Sequence, residues 1–194
     1  MRFRNRDFRL GNAAIAVAIG ISAVAYSATS PQALTTAPST QPLTVGPISY
    51  FEDHCARCHG SYGSGYLPES MKRHDTSSLK KLIREMAAGP AQTPLDGADL
   101  DAQVAYHQSL LAKSPFIAIT ENTDDHISGE ATPGAAIQLK IEDRIIDVPM
   151  DEYAWSISRD EIGASALPEA TLILEKDGVE VTLPLSEVFS EPLR

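Results

Sequence analysis

The sequence predicts an α + β chain in two domains, a small all-α domain followed by a C-terminal β-sandwich. Three observations predict it. Within residues 47–113, apolar side chains recur at helical spacing: Leu79, Leu82, Ile83 and Met86, then Leu100, Val104, Leu110 and Leu111 with Tyr106 among them. After Lys113-Ser114-Pro115 the period drops to two, clearly in Ile137-Gln138-Leu139-Lys140-Ile141 and less cleanly in Ala154-Trp155-Ser156-Ile157-Ser158. Two further apolar runs, 171–175 and 179–183, flank Asp177-Gly178, a strong hairpin signal.

The elements follow in order. Residues 1–28 read as a secretory signal peptide or an N-terminal signal anchor. Arg2, Arg4, Arg6 and Arg9 precede the apolar run Ala13–Ala28, and Ala25-Tyr26-Ser27 offers small residues for cleavage. The run is shorter than the ~20 residues a full span needs, which favours cleavage, while an uncleaved anchor stays open. Export to the periplasm follows in either case. Residues 29–46, rich in Ser, Thr, Pro, Ala and Gln, read as a linker. Residues 47–113 are the helical domain: a first helix leads into Cys55, a second runs from Thr76 or Ser77 as N-cap to Gly89-Pro90, and a third covers Asp99–Leu111. Residues 116–190 are the β domain, its strands punctuated by Gly129, Pro133-Gly134, Asp143 and Pro149.

Composition is that of a soluble globular chain, 43% hydrophobic and 22% charged. The formal net charge is −10, and removing the basic first ten residues, net +3, leaves the rest near −13. Such an acidic body repels phosphates and argues against nucleic acid; it suits solubility or a basic docking partner.

The chain has two cysteines, and they stand in Cys55-Ala56-Arg57-Cys58-His59. Cys-x-x-Cys-His is the pattern of c-type haem attachment. Two thiols add to the two vinyl groups of the porphyrin, and the imidazole that follows is placed to bind the iron. A thioredoxin-like pair would need a βαβ context, which does not precede Cys55, and a zinc site would need further ligands where no other cysteine exists. The expected cofactor is therefore one covalently attached haem c, held by Cys55, Cys58 and His59.

The stretch Gly46–Leu111, about a third of the chain, resembles class I c-type cytochromes. Phe51 stands four residues before Cys55, Cys58-His59-Gly60 with Gly63 and Gly65 is similar to that family's CHGxxGxG run, and Tyr106 takes the aromatic place of its closing helix. The resemblance implies the small all-α cytochrome c fold for residues 47–113. It also implies that the carbonyl of Pro68 orients His59. The chain departs from the family at the distal ligand. The expected Met-Pro is replaced by Gly89-Pro90 or Thr93-Pro94. Met86 is the first choice for the second iron ligand, with Met71, His74, His107 or no ligand as alternatives. Met86 otherwise completes an apolar helix face, and His54 and His107 otherwise read as solvated helix surface.

Ile127–Ala135 resembles a turn region of bacterial immunoglobulin-like repeats, so an Ig-like sandwich is expected. Trp155 reads as core. Glu121, Asp124, Asp125 and Glu130 read as solvated acidic surface rather than a calcium site. The expected function is single-electron transfer, not enzymatic turnover, between redox partner proteins or with a membrane respiratory complex. The alternative is a haem-based ligand-binding or sensor module with an open sixth position.

Overall fold

Pro47, pre-set for helical φ, opens the first helix, α1 (Pro47–His54). Cys55 then ends α1 and begins a single turn, α2 (Ala56–His59). The computed structural model describes residues 43–66, 75–163 and 167–188. A 3₁₀ turn at Ser61–Gly63 follows α2. Helix α3 (Thr76–Ala88) is capped by Asp75, one residue before the expected cap, whose carboxylate accepts from Ser78 N at 2.9 Å. Helix α4 spans Gly97–Ala112.

The strands are β1 (Ile117–Asn122), β2 (His126–Ala131), β3 (Ala136–Ile141), β4 (Arg144–Val148), β5 (Met150–Asp151), β6 (Ala154–Ser158), β7 (Ala170–Lys176) and β8 (Val179–Pro184). Short helices α5 (Arg159–Ile162) and α6 (Leu185–Val188) follow β6 and β8. They make two open, four-stranded antiparallel sheets, ordered β1-β2-β6-β5 and β4-β3-β7-β8. One apolar core lies between them: Ile127, Trp155 and Ile157 from the first sheet meet Ile137, Leu139, Leu172 and Leu174 from the second. Trp155 is 2% exposed, in the core as expected.

The expected fold class, a small all-α cytochrome c fold followed by a C-terminal β-sandwich, is overturned. The described residues form a mixed α/β structure built around the two sheets, all within one compact unit. The physical reason lies in how the helices bury their apolar faces. Ile48, Phe51 and Tyr106 close a core only together with Phe116 and with Ala118 of β1. The N-terminus of α1 has no side-chain cap of its own; Glu130 of β2 supplies one, accepting from Ile48 N at 2.6 Å and Ser49 N at 3.3 Å. Glu130 is 7% exposed, so the expectation of a solvated acidic residue there is also corrected.

Among the described residues no helix is long and apolar enough to cross a membrane. The export segment, residues 1–28, lies outside the described residues, as does most of the linker. The linker's end is tied down, since Thr44 donates from its backbone to Asp99 at 2.8 Å.

Candidate haem attachment site

The site is built on two successive helical turns. Cys55 N donates to Phe51 O at 2.8 Å, closing α1. Cys58 N and His59 N then both donate to Cys55 O, at 3.1 and 3.0 Å, closing the next turn. This hydrogen bonding fixes Cys55, Cys58 and His59 within one turn of each other. Both cysteines are free thiols.

Their environments differ. Cys55 packs against both helical clusters, that of Tyr50, Leu79 and Ile83 and that of Phe51 and Tyr106. Burial, and then the neighbouring Cys58 and Glu52, push its thiol up to about 11. Cys58 is exposed. A thiol pushed up to about 11 holds little thiolate at pH 8, and Cys58 is the more exposed of the two. In the unmodified polypeptide, iodoacetamide should therefore label Cys58 first. Labelling of Cys55 should keep rising about tenfold per pH unit up to about pH 11. Peptide mass spectrometry reads both rates, and equal rates at pH 8 would refute the burial of Cys55.

The loop after His59 doubles back tightly. Gly65 N donates to His59 O at 2.7 Å, and a Cβ on Gly65 would stand 2.8 Å from that oxygen. Only glycine lets the two backbones approach so closely. The loop is also tied to its surroundings. Tyr62 N donates to Glu52 Oε1 at 2.6 Å, and the Tyr62 hydroxyl donates to Glu152 Oε1, in the β5–β6 turn, at 2.6 Å.

The ring of Tyr66 lies against that of His59, with centroids 4.8 Å apart. The Tyr66 hydroxyl is 2.7 Å from Nδ1 of His107 on α4. His107 is only 7% exposed, which corrects its reading as solvated surface. Desolvation, with a smaller contribution from His59, pushes its imidazole down to about 3. The signal that would have found it is spacing. Leu100, Gln103, Val104 and His107 stand at i, i+3, i+4 and i+7, so this buried stripe of α4 carries Gln103 and His107.

Met86 is not in the apolar cluster to which Cys55 belongs. The buried stripe of α3 is Leu79, Ile83 and Ala87, while Leu82 and Met86 are 40% and 39% exposed on its flank. The other flank of α3 faces α4, where Lys80 pairs with Asp101. The structure thus brings Cys55, Cys58 and His59 together and leaves Met86 on an open apolar flank. Pro68, Met71 and His74 lie outside the described residues.

Among the described residues no group of three or more His, Cys, Asp and Glu could hold a metal ion between them. Two free thiols and an imidazole on adjacent turns, not converging on one point, are the donor set that a tethered, planar, iron-bearing ring requires. In chemistry the residues would fit a haem: Cys55 and Cys58 could tether it and His59 could offer an iron ligand. Comparison with protein-family models, with characterised proteins and with solved structures finds no match to this chain.

Proposed function

We propose that this chain is an exported c-type haem protein that passes single electrons between redox partners. The observation that carries the proposal is the pair of free thiols on one helical turn, followed at once by His59. Bound haem supplies reversible one-electron chemistry at its iron. The chain's residues do the rest. Cys55 and Cys58 hold the group through thioethers, His59 ligates, and the Tyr62–Glu152 and Gly65–His59 bonds keep the loop from drifting. Cys58 is exposed, so that end of the site is open to a partner. The acidic body, net −10, favours a basic partner. The basic-then-apolar start of the sequence favours the periplasm, where thiols and haem are joined.

The test is expression in a host that matures c-type cytochromes. Haem should stay with the polypeptide through acid–acetone extraction and denaturing electrophoresis, and mediators should reduce and reoxidise it without substrate turnover. Replacing both Cys55 and Cys58 by Ser should abolish the attachment. Extractable haem in the natural chain would end the proposal.

A second reading has one observation in its favour, the exposed flank position of Met86. If no thioether reaches the iron, the sixth position is open and the protein is a gas-binding or sensor module. A bound methionine should show the weak near-infrared sulfur-to-iron band, lost in Met86→Ala. Rapid carbon monoxide binding by the ferrous natural chain at neutral pH would support the second reading instead.

A further inference from the structure

An imidazole turns about a soft torsion, so a histidine presents a defined ring plane only where its neighbours hold it. His59 is half-buried, and the ring of Tyr66 lies against it, with centroids 4.8 Å apart and planes inclined at 36°. Tyr66 is itself held in several ways. Its hydroxyl shares a hydrogen bond of 2.7 Å with Nδ1 of His107. Its ring meets those of Phe51 at 6.1 Å and His107 at 5.8 Å. Its backbone N donates to Gly63 O at 3.0 Å. Gly63, with φ of 71°, passes so close that a Cβ there would stand 2.8 Å from Cδ2 of Tyr66 and 3.0 Å from Leu110. The bond to His107 comes at a cost, because His107 is 7% exposed and its Nε2 is buried without a hydrogen-bond partner. Phenylalanine and leucine would pack there with no orphaned polar atom. What the tyrosine and histidine add is the bond between them, which fixes where the Tyr66 ring stands.

We propose that Tyr66 is a positioning residue for His59, and that its bond to His107 fixes the ring plane His59 would offer to an iron. The inference rests on the haem reading and deepens it. The role differs from the one that the resemblance gives to Pro68, whose carbonyl would hold one nitrogen of the imidazole. Tyr66 bears on the face of the ring.

A fixed plane has two consequences. The π overlap of a ligating imidazole with a metal has a direction set by the ring plane, and a ring free to turn averages it. A ring already held also loses less torsional freedom when it binds. Tyr66 acts here by contact alone, and His107 acts through Tyr66; neither gains nor loses a proton. Neighbouring residues share the work. Gly65 N donates to His59 O at 2.7 Å while Tyr66 covers the imidazole, so consecutive residues hold the backbone and the ring of His59.

Nuclear magnetic resonance of the full chain, labelled on histidine, tests the placement without haem. At about pH 9, where imidazoles are neutral, the carbon-bound ring protons of His59 should lie upfield of those of free histidine, shielded by the Tyr66 ring. Tyr66→Leu should abolish that shift. Tyr66→Phe keeps the ring but loses the bond, and His107→Leu removes the bond from the other side. Each should shrink the shift, and the two together should shrink it no further. Unchanged His59 signals in both variants would overturn the proposal, since a merely structural pair would lower the thermal melt and leave His59 where it was. Should Tyr66→Leu fail to fold, these two milder variants decide. In chains that carry haem, the spread of the haem methyl proton shifts in the ferric state reads the plane of the ligating imidazole. Tyr66→Phe should change that spread at unchanged haem content, and an identical spread would also overturn the proposal. Failure of the haem reading would show separately, as a natural chain that acquires no covalent haem while the His59 shift and its dependence on Tyr66 persist.

Discussion

Gly129→Ala should cost about 4 kcal/mol or more, a large share of the stability of a domain this size. Gly129 sits in β2 between β1 and β6, opposite Trp155 in the register. A Cβ there would lie 1.9 Å from the carbonyl oxygen of Ala118 and 2.8 Å from Cζ2 of Trp155. Neither neighbour can give way cheaply. The oxygen belongs to the backbone of β1, and the indole is 2% exposed in the core between the sheets. Overpacking usually costs ~1–3 kcal/mol because side chains shift, but here a strand would have to move. The thermal midpoint should fall by roughly 10 °C. Because Ala118 also closes the core over Phe51 and Tyr106, the loss should reach the helical segment as faster alkylation of Cys55. A melt within a few degrees of the natural chain would show that β1 and β2 do not approach so closely.

The strands were legible where one face is wet. Ile137–Ile141 alternates because Ile137, Leu139 and Ile141 point into the core while Gln138 and Lys140 do not, and Asp177-Gly178 gives a hairpin turn with φ of 52° and 78°. The helices were legible from their spacing for the same reason. What the sequence could not show is what each apolar face meets. Spacing places Tyr106 on an apolar helix face but does not say that Phe116 and Ala118 join it in one core, so the helices read as a domain with its own centre. The error in fold class follows from that single ambiguity.

The site divides in the same way. The expectation for Cys55, Cys58 and His59 rests on a local spacing, and the structure shows only that one helical turn brings the three together. Tyr66 and His107 meet across 41 residues, and no local pattern announces such a contact. Met86 looked like the end of an apolar stripe because 79, 82, 83 and 86 share a face. The structure turns that face so that Leu79 and Ile83 are covered and Leu82 and Met86 are not. Periodicity gives the face of a helix but not which half of it a neighbour reaches.

Glu130→Ala should cost about 2–4 kcal/mol and loosen the first helix from the sheet. The carboxylate accepts from Ile48 N and Ser49 N at the positive end of an eight-residue helix, across 82 residues of sequence in the first bond. Alanine would leave buried donors unpaired; glutamine, which keeps one acceptor, should cost about half as much. The decisive measurement is a double-mutant cycle with Gly46. A Cβ on Gly46 would stand 2.0 Å from Glu130 Oε1, so Gly46→Ala should displace the carboxylate and forfeit the cap. Once Glu130 is alanine, the room exists and nothing remains to forfeit. Gly46→Ala should therefore be costly in the natural chain and nearly silent in the Glu130→Ala background, a coupling of about 1–3 kcal/mol. Strict additivity would mean that Glu130 does not hold the helix, and the account of why the helical segment folds onto the sheet would have to be replaced. With coupling present, the same cycle read by alkylation of Cys55 should show the thiol opening in either single variant and opening little further in the double. That result would tie a carboxylate in a β-strand to the accessibility of Cys55.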